Sequence, residues 1–436
     1  MPGFSFPIRL SSFSVPDQSR YYLGIHLDLE AAAIHGCIVR IADEPESRAP
    51  ELMAHLSREL SRELTAICRQ WIDSQNGNGS NAPSEDDRRT FSSLAAFRHQ
   101  SVDVLVEVTN SLLQASGLRS SAILLAGVLD PGLWFAGRNG TCVSCLDASV
   151  LAFKTGLNFC DGFIQSDLSA GGLGGPVEAG PLWRLLASDS KNRLVLDLRS
   201  EALRLFWLPP ELRGGLRKVL AFDAAPGMEL LNQLVRRISY DKLSSDPSGK
   251  MAVQGKKIPE LLNRWKSNSF FQTPLPRYSP LGIRPNPFIL EAMNLAVESN
   301  WSVQDVLCTA VHFQADCLSD AVQKYLTGKV EQIYLRGPGC TNGLLCREIR
   351  QRIPNVETVL TGENVVPPTA LYAACAAVLA YWFAQRTPGN LPQATGCSRS
   401  VVLGRLIPGL PESFLTLSEV MARKAAQGEN QDRQKS

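Results

Sequence analysis

"YLGIHLDLEAAAIHGCIVRI" runs from Tyr22 to Ile41. Two apolar runs, Tyr22–Leu29 and Ile34–Ile41, enclose a short middle that reads as a turn between strands, the strands being expected at Tyr22–Leu27 and Cys37–Ile41. The middle is Asp28, Leu29 and Glu30, followed by the alanines 31 to 33. A turn that holds a phosphate is usually built from Gly, Ser and Thr, because small residues let backbone N–H groups approach the anion. This turn carries acid and alanine instead.

Beyond the hairpin the chain alternates short β-branched or apolar runs with helical patterns. Further strands are expected at Ala122–Ala126, Leu194–Leu198, Leu203–Leu208, Gln332–Leu335 and Val401–Leu406. Helices are expected at Glu51–Asn76, Phe91–Gly117, Glu229–Ile238, Pro287–Ser299, Ser302–Thr327, Leu344–Arg352 and Thr369–Gln385. In Ser302–Thr327 the residues Val306, Leu307, Ala310, Val311, Gln314 and Leu318 trace one face. A hairpin followed by strands that alternate with helices predicts an α/β fold with mixed sheets.

The totals bound the class. A chain of 436 residues holds two or three domains. Its apolar fraction of 44% and charged fraction of 20% are those of a soluble globular protein. A formal net charge of +2 gives no reason to expect nucleic acid or a membrane surface as partner. No apolar window approaches the roughly 18 residues of a membrane span. The N-terminus has no long apolar core of a secretory signal. The 11 cysteines are scattered and odd in number, so they do not read as a disulfide framework. Cys142 and Cys145 form a CxxC without a second pair or spaced histidines, and read as reduced core thiols. Together these features predict a cytoplasmic protein. Residues 75–90 read as a flexible polar loop, and 411–436 as a C-terminal helix and tail.

Four stretches can carry chemistry. "SDLSAGGLGGPVEAG" (166–180) holds Gly171, Gly172 and Gly174 and reads equally as a ligand loop or a structural loop. "FDAAPGMELLNQLVRR" (222–237) is a strand, a turn at Pro226-Gly227 and a helix, and reads first as a plain connection and second as a helix start that can hold an anion. "YLRGPGCTNGLLCREIRQRIP" (334–354) repeats strand, glycine turn and helix, with Gly337, Gly339 and Asn342 at the turn. "TPGNLPQATGCSRSVVLGRLIPG" (387–409) is turn-rich and ends in a strand. With five histidines far apart and neither HExxH nor GxSxG, the usual motifs of metal-dependent and serine hydrolysis are absent.

In combination these stretches resemble the anhydro-N-acetylmuramic acid kinases, bacterial enzymes of peptidoglycan recycling and amino sugar metabolism. Residues 388–409 look almost residue for residue like the family's C-terminal motif. "LAFKTG" (151–156) is similar to its LAERTG, "DLSAGGLGGP" (167–176) to DxAAGGQGAP, "FDAAPG" (222–227) to FDTGPG and "RGPGCTNGLL" (336–345) to GGGAxNPxL. "VPP" (366–368) precedes the matching late helix. Order and spacing hold from about residue 20 to 409. The resemblance implies two actin-like (ribonuclease-H-like) ATPase-fold domains with mixed sheets flanked by helices around a central cleft. The expected division is an extension at 1–18, domain I at 19–146 plus 388–410, and domain II at 147–387. It implies ATP and Mg²⁺ as cofactors, with no metal held by the protein itself, a sugar or nucleotide as small-molecule partner, and a homodimer. Asp223, Pro226, Gly227, Gly337, Gly339 and Asn342 would face the nucleotide, and Gly171, Gly172 and Gly174 the substrate.

The departures from the family pattern concentrate at chemistry. The family's hairpin turn, SGTSxDGxD, is replaced by "LDLEAAAIH", Leu27 to His35, which sets Asp28 and Glu30 where polyphosphate would sit and repels it. The base lies in DFRxRD. Here Gly162 takes its place, Asp161 stands one residue early, and the arginines become Ile164 and Ser166. Asp161 and Asp167 are therefore the candidate bases. GSHGQT becomes "GVLDPG" (127–132), a Gly-Gly phosphate contact becomes Arg199-Ser200, KSTGRE becomes "RYSPLG" (277–282), and a Glu of the late helix becomes Tyr372. The expected protein is a degenerate kinase-fold binding or scaffolding protein, with a sugar-like ligand, a nucleotide or another protein as partner. The alternative is an active ATP-dependent kinase of 1,6-anhydro-N-acetylmuramic acid or a related sugar.

Overall fold

The computed structural model describes residues 20–42, 50–76, 85–135, 141–279, 283, 285–358 and 366–435. The expected extension at 1–18 lies outside them. The chain divides into two compact units. The first takes Met1–Ser166, Thr369–Gly389 and Ser400–Ser436, the second Asp167–Pro368 and Asn390–Arg399.

The first unit is built on a six-stranded sheet. The opening stretch forms β1 (Arg20–Asp28) and β2 (Ala33–Ile41), paired antiparallel with Leu27 opposite Ile34. β3 (Glu51–Glu59) adds antiparallel to β2. β4 (Ile123–Leu129) runs parallel to β1. A separate small ribbon, β5 (Leu133–Phe135) with β6 (Thr141–Val143), follows. β7 (Phe159–Asp161) runs parallel to β4 and closes against the antiparallel β13 (Arg405–Ile407). The order is β13-β7-β4-β1-β2-β3.

The second unit repeats the plan. β8 (Arg193–Leu198), β9 (Ala202–Leu208) and β10 (Leu220–Pro226) form an antiparallel meander. β11 (Gln332–Arg336) lies parallel to β8, and β12 (Glu357–Thr358) parallel to β11. Its order, β10-β9-β8-β11-β12, matches β3-β2-β1-β4-β7 strand for strand and direction for direction. Two sheets of this kind, each an antiparallel meander continued by parallel strands and flanked by helices, make the mixed α/β, actin-like fold that the resemblance implies.

Helix packing on the first sheet rests on two glycines. A Cβ on Gly24 would stand 1.8 Å from the carbonyl oxygen of Ala373, and one on Gly127 would stand 2.1 Å from that of Ala376. Without side chains there, the helix Leu371–Ala384 lies directly on β1 and β4. Every residue of that helix except Phe383 is buried, which suits its sequence LYAACAAVLAYWFA, apolar on all sides. In the second unit the helix Val303–Tyr325 buries Val306, Leu307, Ala310, Val311, Gln314 and Leu318, the face read from the sequence.

Several expectations need correction. The helix expected over 51–76 begins only at Arg62, because 51–59 is the edge strand β3. The helix Arg62–Asn76 reaches into the loop expected at 75–90, and the helix Glu85–Ser116 begins within it; 77–84 lie outside the described residues. The last strand is Arg405–Ile407, shorter than and shifted from 401–406. The units also part elsewhere than at 146/147. Residues 147–166 follow β4 and β7 into the first unit, and so does the helix Leu371–Ala384, which packs on β1 and β4; 390–399 joins the second. Among the described residues no helix is long and apolar enough to cross a membrane.

Candidate functional site

In the first unit the hairpin turn is closed by its own acid. The Ala31 N–H donates to Asp28 Oδ1 at 2.9 Å, a turn geometry that Asp readily forms. Asp28 Oδ2 stands 3.8 Å from His35 Nε2, and His35 Nδ1 meets Ser57 Oγ at 2.7 Å. His26, opposite His35 in the register, stacks on it with ring centroids 6.2 Å apart. Tyr372, at the position of the family's Glu, packs edge-on against His26 at 5.2 Å. The group combines two imidazoles and a phenol ring with the carboxylate of Asp28 and the hydroxyl of Ser57.

Asp161 ends β7 and is buried. Arg405, directly opposite on β13, grips it with both arms, Nε to Oδ1 at 2.6 Å and Nη2 to Oδ2 at 3.1 Å. A fork of this kind occupies both carboxylate oxygens. Gly162 follows with φ +72°, and the chain enters the helix Phe163–Ser169. Nearby, Asp130 of the loop 127–132 accepts from Gly132 N at 2.8 Å and Leu146 N at 2.7 Å, and burial pushes its carboxyl up to about 6. Cys142 and Cys145, which flank this loop, are buried thiols, and burial raises both.

Asp167 opens the second unit. It is fully buried and receives three hydrogen bonds, from Asn390 Nδ2 at 2.9 Å, Thr395 Oγ1 at 2.7 Å and Gly174 N at 2.9 Å. Gly172 presses on the same carboxylate; a Cβ there would stand 2.2 Å from Oδ2. Two further seams, Leu173 N to Thr395 O and Ser398 N to Ala170 O, stitch the loop 167–176 to 390–398. Burial raises the Asp167 carboxyl above the ordinary range, against the three hydrogen bonds that lower it. Asn390 and Thr395 belong to the stretch 388–409 and were not singled out from sequence.

The residues read as nucleotide-facing lie in the second unit and are already partnered. Asp223, fully buried, holds Arg204 Nε at 2.7 Å and accepts from Ser279 N at 2.8 Å. Arg277 Nε donates to the Asp223 carbonyl at 3.0 Å, and Tyr278 lies over Arg204 at 4.6 Å. Of the expected loop 277–282, residues 280–282 fall outside the described residues. Gly227 starts the helix Met228–Ile238, and Gln314 Nε2 donates to both Pro226 O and Gly227 O, at 3.0 and 2.8 Å. The first amides of this helix are occupied, Met228 N by Arg199 O at 3.0 Å and Glu229 N by Ser200 O at 2.9 Å. Gly337, with φ +89°, and Gly339 pack on Leu198, and Asn342 caps the helix Gly343–Arg352 through Leu345 N at 3.0 Å. Arg336 Nη1 reaches Asp197 Oδ2 at 2.7 Å, and Arg199 pairs with Glu201. The second unit thus gathers the turns at 198–201, 226–229 and 336–342 into one cluster. Among the described residues no three His, Cys, Asp or Glu side chains are grouped to hold a metal ion.

The family model for anhydro-N-acetylmuramic acid kinase matches residues 82–409. The chain belongs to the anhydro-N-acetylmuramic acid kinase family. The kinase of Synechococcus elongatus is 32% identical over 275 residues, 62% of this chain and 71% of that protein. That of Crocosphaera subtropica is 24% identical over 390 residues, 88% and 98% of the two chains. Among solved structures, the activator of the 2-hydroxyisocaproyl-CoA dehydratase from Clostridium difficile aligns over 83% of this chain and 94% of its own at 11% identity, with a TM-score of 0.38. All the motif stretches from Leu151 to Gly409 lie inside the family match, whereas the hairpin Tyr22–Ile41 precedes it.

Proposed function

We propose that this member of the family is a kinase-fold binding or scaffolding protein that has given up the phosphoryl transfer for which the family is named. One observation carries the reading. Gly162 stands at the base position, and the neighbouring Asp161 is clamped on both oxygens by Arg405. A carboxylate with both oxygens engaged by one guanidinium is turned toward that partner rather than toward a substrate hydroxyl. Losing a general base alone lowers the rate by about 10²–10⁴-fold. The residues also fit ATP poorly. Phosphoryl transfer relies on donors positioned around the phosphates; at these two turns the Ala31 amide is taken by Asp28, and the Met228 and Glu229 amides by the carbonyls of Arg199 and Ser200.

The second reading, an active sugar kinase, draws on Asp167. Its carboxyl, raised by burial, stands beside the glycine loop. One assay separates the two. Purified protein is incubated with ATP, Mg²⁺ and 1,6-anhydro-N-acetylmuramic acid, and ADP and sugar phosphate are followed. The proposed reading expects no turnover above background. Turnover of about one per second or faster, ordinary for an enzyme, would overturn it.

A further inference from the structure

We infer that this chain rejects polyphosphate actively, by seating its own acceptors in the two turns where a phosphate would dock, with Asp28 as the specificity-determining residue. The inference rests on the reading above and goes further, because loss of a base says nothing about what the turns bind.

In the first turn, the acceptor and the excluding charge are the same group. Asp28 Oδ1 takes the Ala31 N–H, so the carboxylate is fixed inside the turn rather than swinging free in solvent. Its second oxygen faces His35. An incoming anion would have to displace a charge-assisted hydrogen bond and meet a fixed negative charge at the same place. Glu30, exposed two residues on, adds a second charge of the same sign.

In the second unit the device is backbone. The carbonyls of Arg199 and Ser200, in the turn between β8 and β9, accept the first two amides of the helix Met228–Ile238. Contact is close enough that a Cβ on Gly227 would stand 2.2 Å from Ser200 O. A helix start normally offers these amides to an anion; here two carbonyl dipoles fill the position. The nearby guanidinium groups add no net attraction, since Arg336 holds Asp197 and Arg199 holds Glu201. Anions are therefore disfavoured at both turns by different means.

The test uses the full chain and inorganic tripolyphosphate as probe, with and without Mg²⁺, by calorimetry and thermal shift. The wild type is expected to show no saturable binding and no shift at millimolar probe, since ligand stabilises a fold only above its Kd. Asp28→Asn keeps the oxygen that accepts the Ala31 N–H and removes the charge. With Glu30→Gln it should bind the probe saturably, with a Kd at least about tenfold below the highest probe concentration at which wild type shows no binding. Glu30→Gln alone, an exposed change, gives a smaller gain in the same direction and guards against misfolding of the double variant. Tight wild-type binding, or variants indistinguishable from wild type, would overturn the inference. Binding of the probe without sugar phosphorylation sinks this inference and leaves the proposed function standing; turnover in the kinase assay sinks the proposed function itself.

Discussion

Asp167→Ala removes a buried carboxylate that holds both the glycine loop and the segment 390–398. Three buried donors, Asn390 Nδ2, Thr395 Oγ–H and Gly174 N–H, lose their acceptor at once. Each buried donor left unmade costs about 1–3 kcal/mol. The side chain removed is small, and water entering its place recovers part of the loss, so the expected destabilisation is about 3–5 kcal/mol. That is a large share of a typical folding free energy of about 5–15 kcal/mol. Asp167→Asn keeps one acceptor oxygen but turns an amide toward a donor, and should cost about 1–3 kcal/mol. Urea unfolding followed by fluorescence reads the global effect, with Trp183, Trp207, Trp265 and Trp301 reporting on the second unit. Because two units need not unfold together, amide hydrogen exchange across 167–176 and 390–398 gives the local readout. The pH dependence has a definite sign. Burial raises the folded carboxyl above its unfolded value. The folded state therefore keeps a proton that the unfolded state has already released, and this stabilisation is complete below the unfolded pKa and lost as pH rises through the folded one. The advantage of Asp over Asn at this position must shrink across that window. An Asp167→Ala protein within 1 kcal/mol of wild type, with unchanged exchange in both segments, would refute the role given to this carboxylate.

Asp130 should behave alike and more visibly. With its carboxyl raised to about 6, wild-type stability should fall by roughly 2–3 kcal/mol between pH 4 and pH 7 at this one site, and Asp130→Asn should abolish that slope in pH-resolved denaturation. Gly24→Ala pushes a methyl group into the carbonyl of Ala373 and should cost more than about 3 kcal/mol or yield no soluble protein. Gly117→Ala, with φ +68° but open space around it, should cost only about 1–2 kcal/mol in the same thermal melts. Arg405→Ala deprives buried Asp161 of both its donors, but the arginine is 70% exposed. Solvent screening then limits the expected loss to about 1–2 kcal/mol by urea titration, and kinase activity should not appear in the variant.

Much of this protein could be read from its residues, for identifiable reasons. β1, β2, β8, β9 and β11 are apolar runs buried in a sheet, and burial is what makes such runs stand out. β3 escaped notice because an edge strand is only half buried. In "ELMAHLSREL" the apolar residues also fit a helical period, and they run straight into a real helix at Arg62. The chemistry-bearing turns were found through their glycines, yet their partners were not. Arg405 reaches Asp161 across 244 positions, and Asn390 and Thr395 reach Asp167 across 223 and 228. No local pattern encodes a pairing at that distance.

The family, the alternation of strands and helices, and the departures from the family's motif pattern are legible along the chain, because composition and motif order are properties of its linear order. What surrounds each of these residues follows from the fold in three dimensions. Asp28 alone in a sequence is a charge of unknown direction; folded, it is the acceptor that closes its own turn. Asp161 and Asp167 look equivalent as candidate bases until strand register puts an arginine on one and loop convergence puts three donors on the other. A carboxylate's chemistry depends on which donors and charges surround it in space, and chain folding alone brings those donors together.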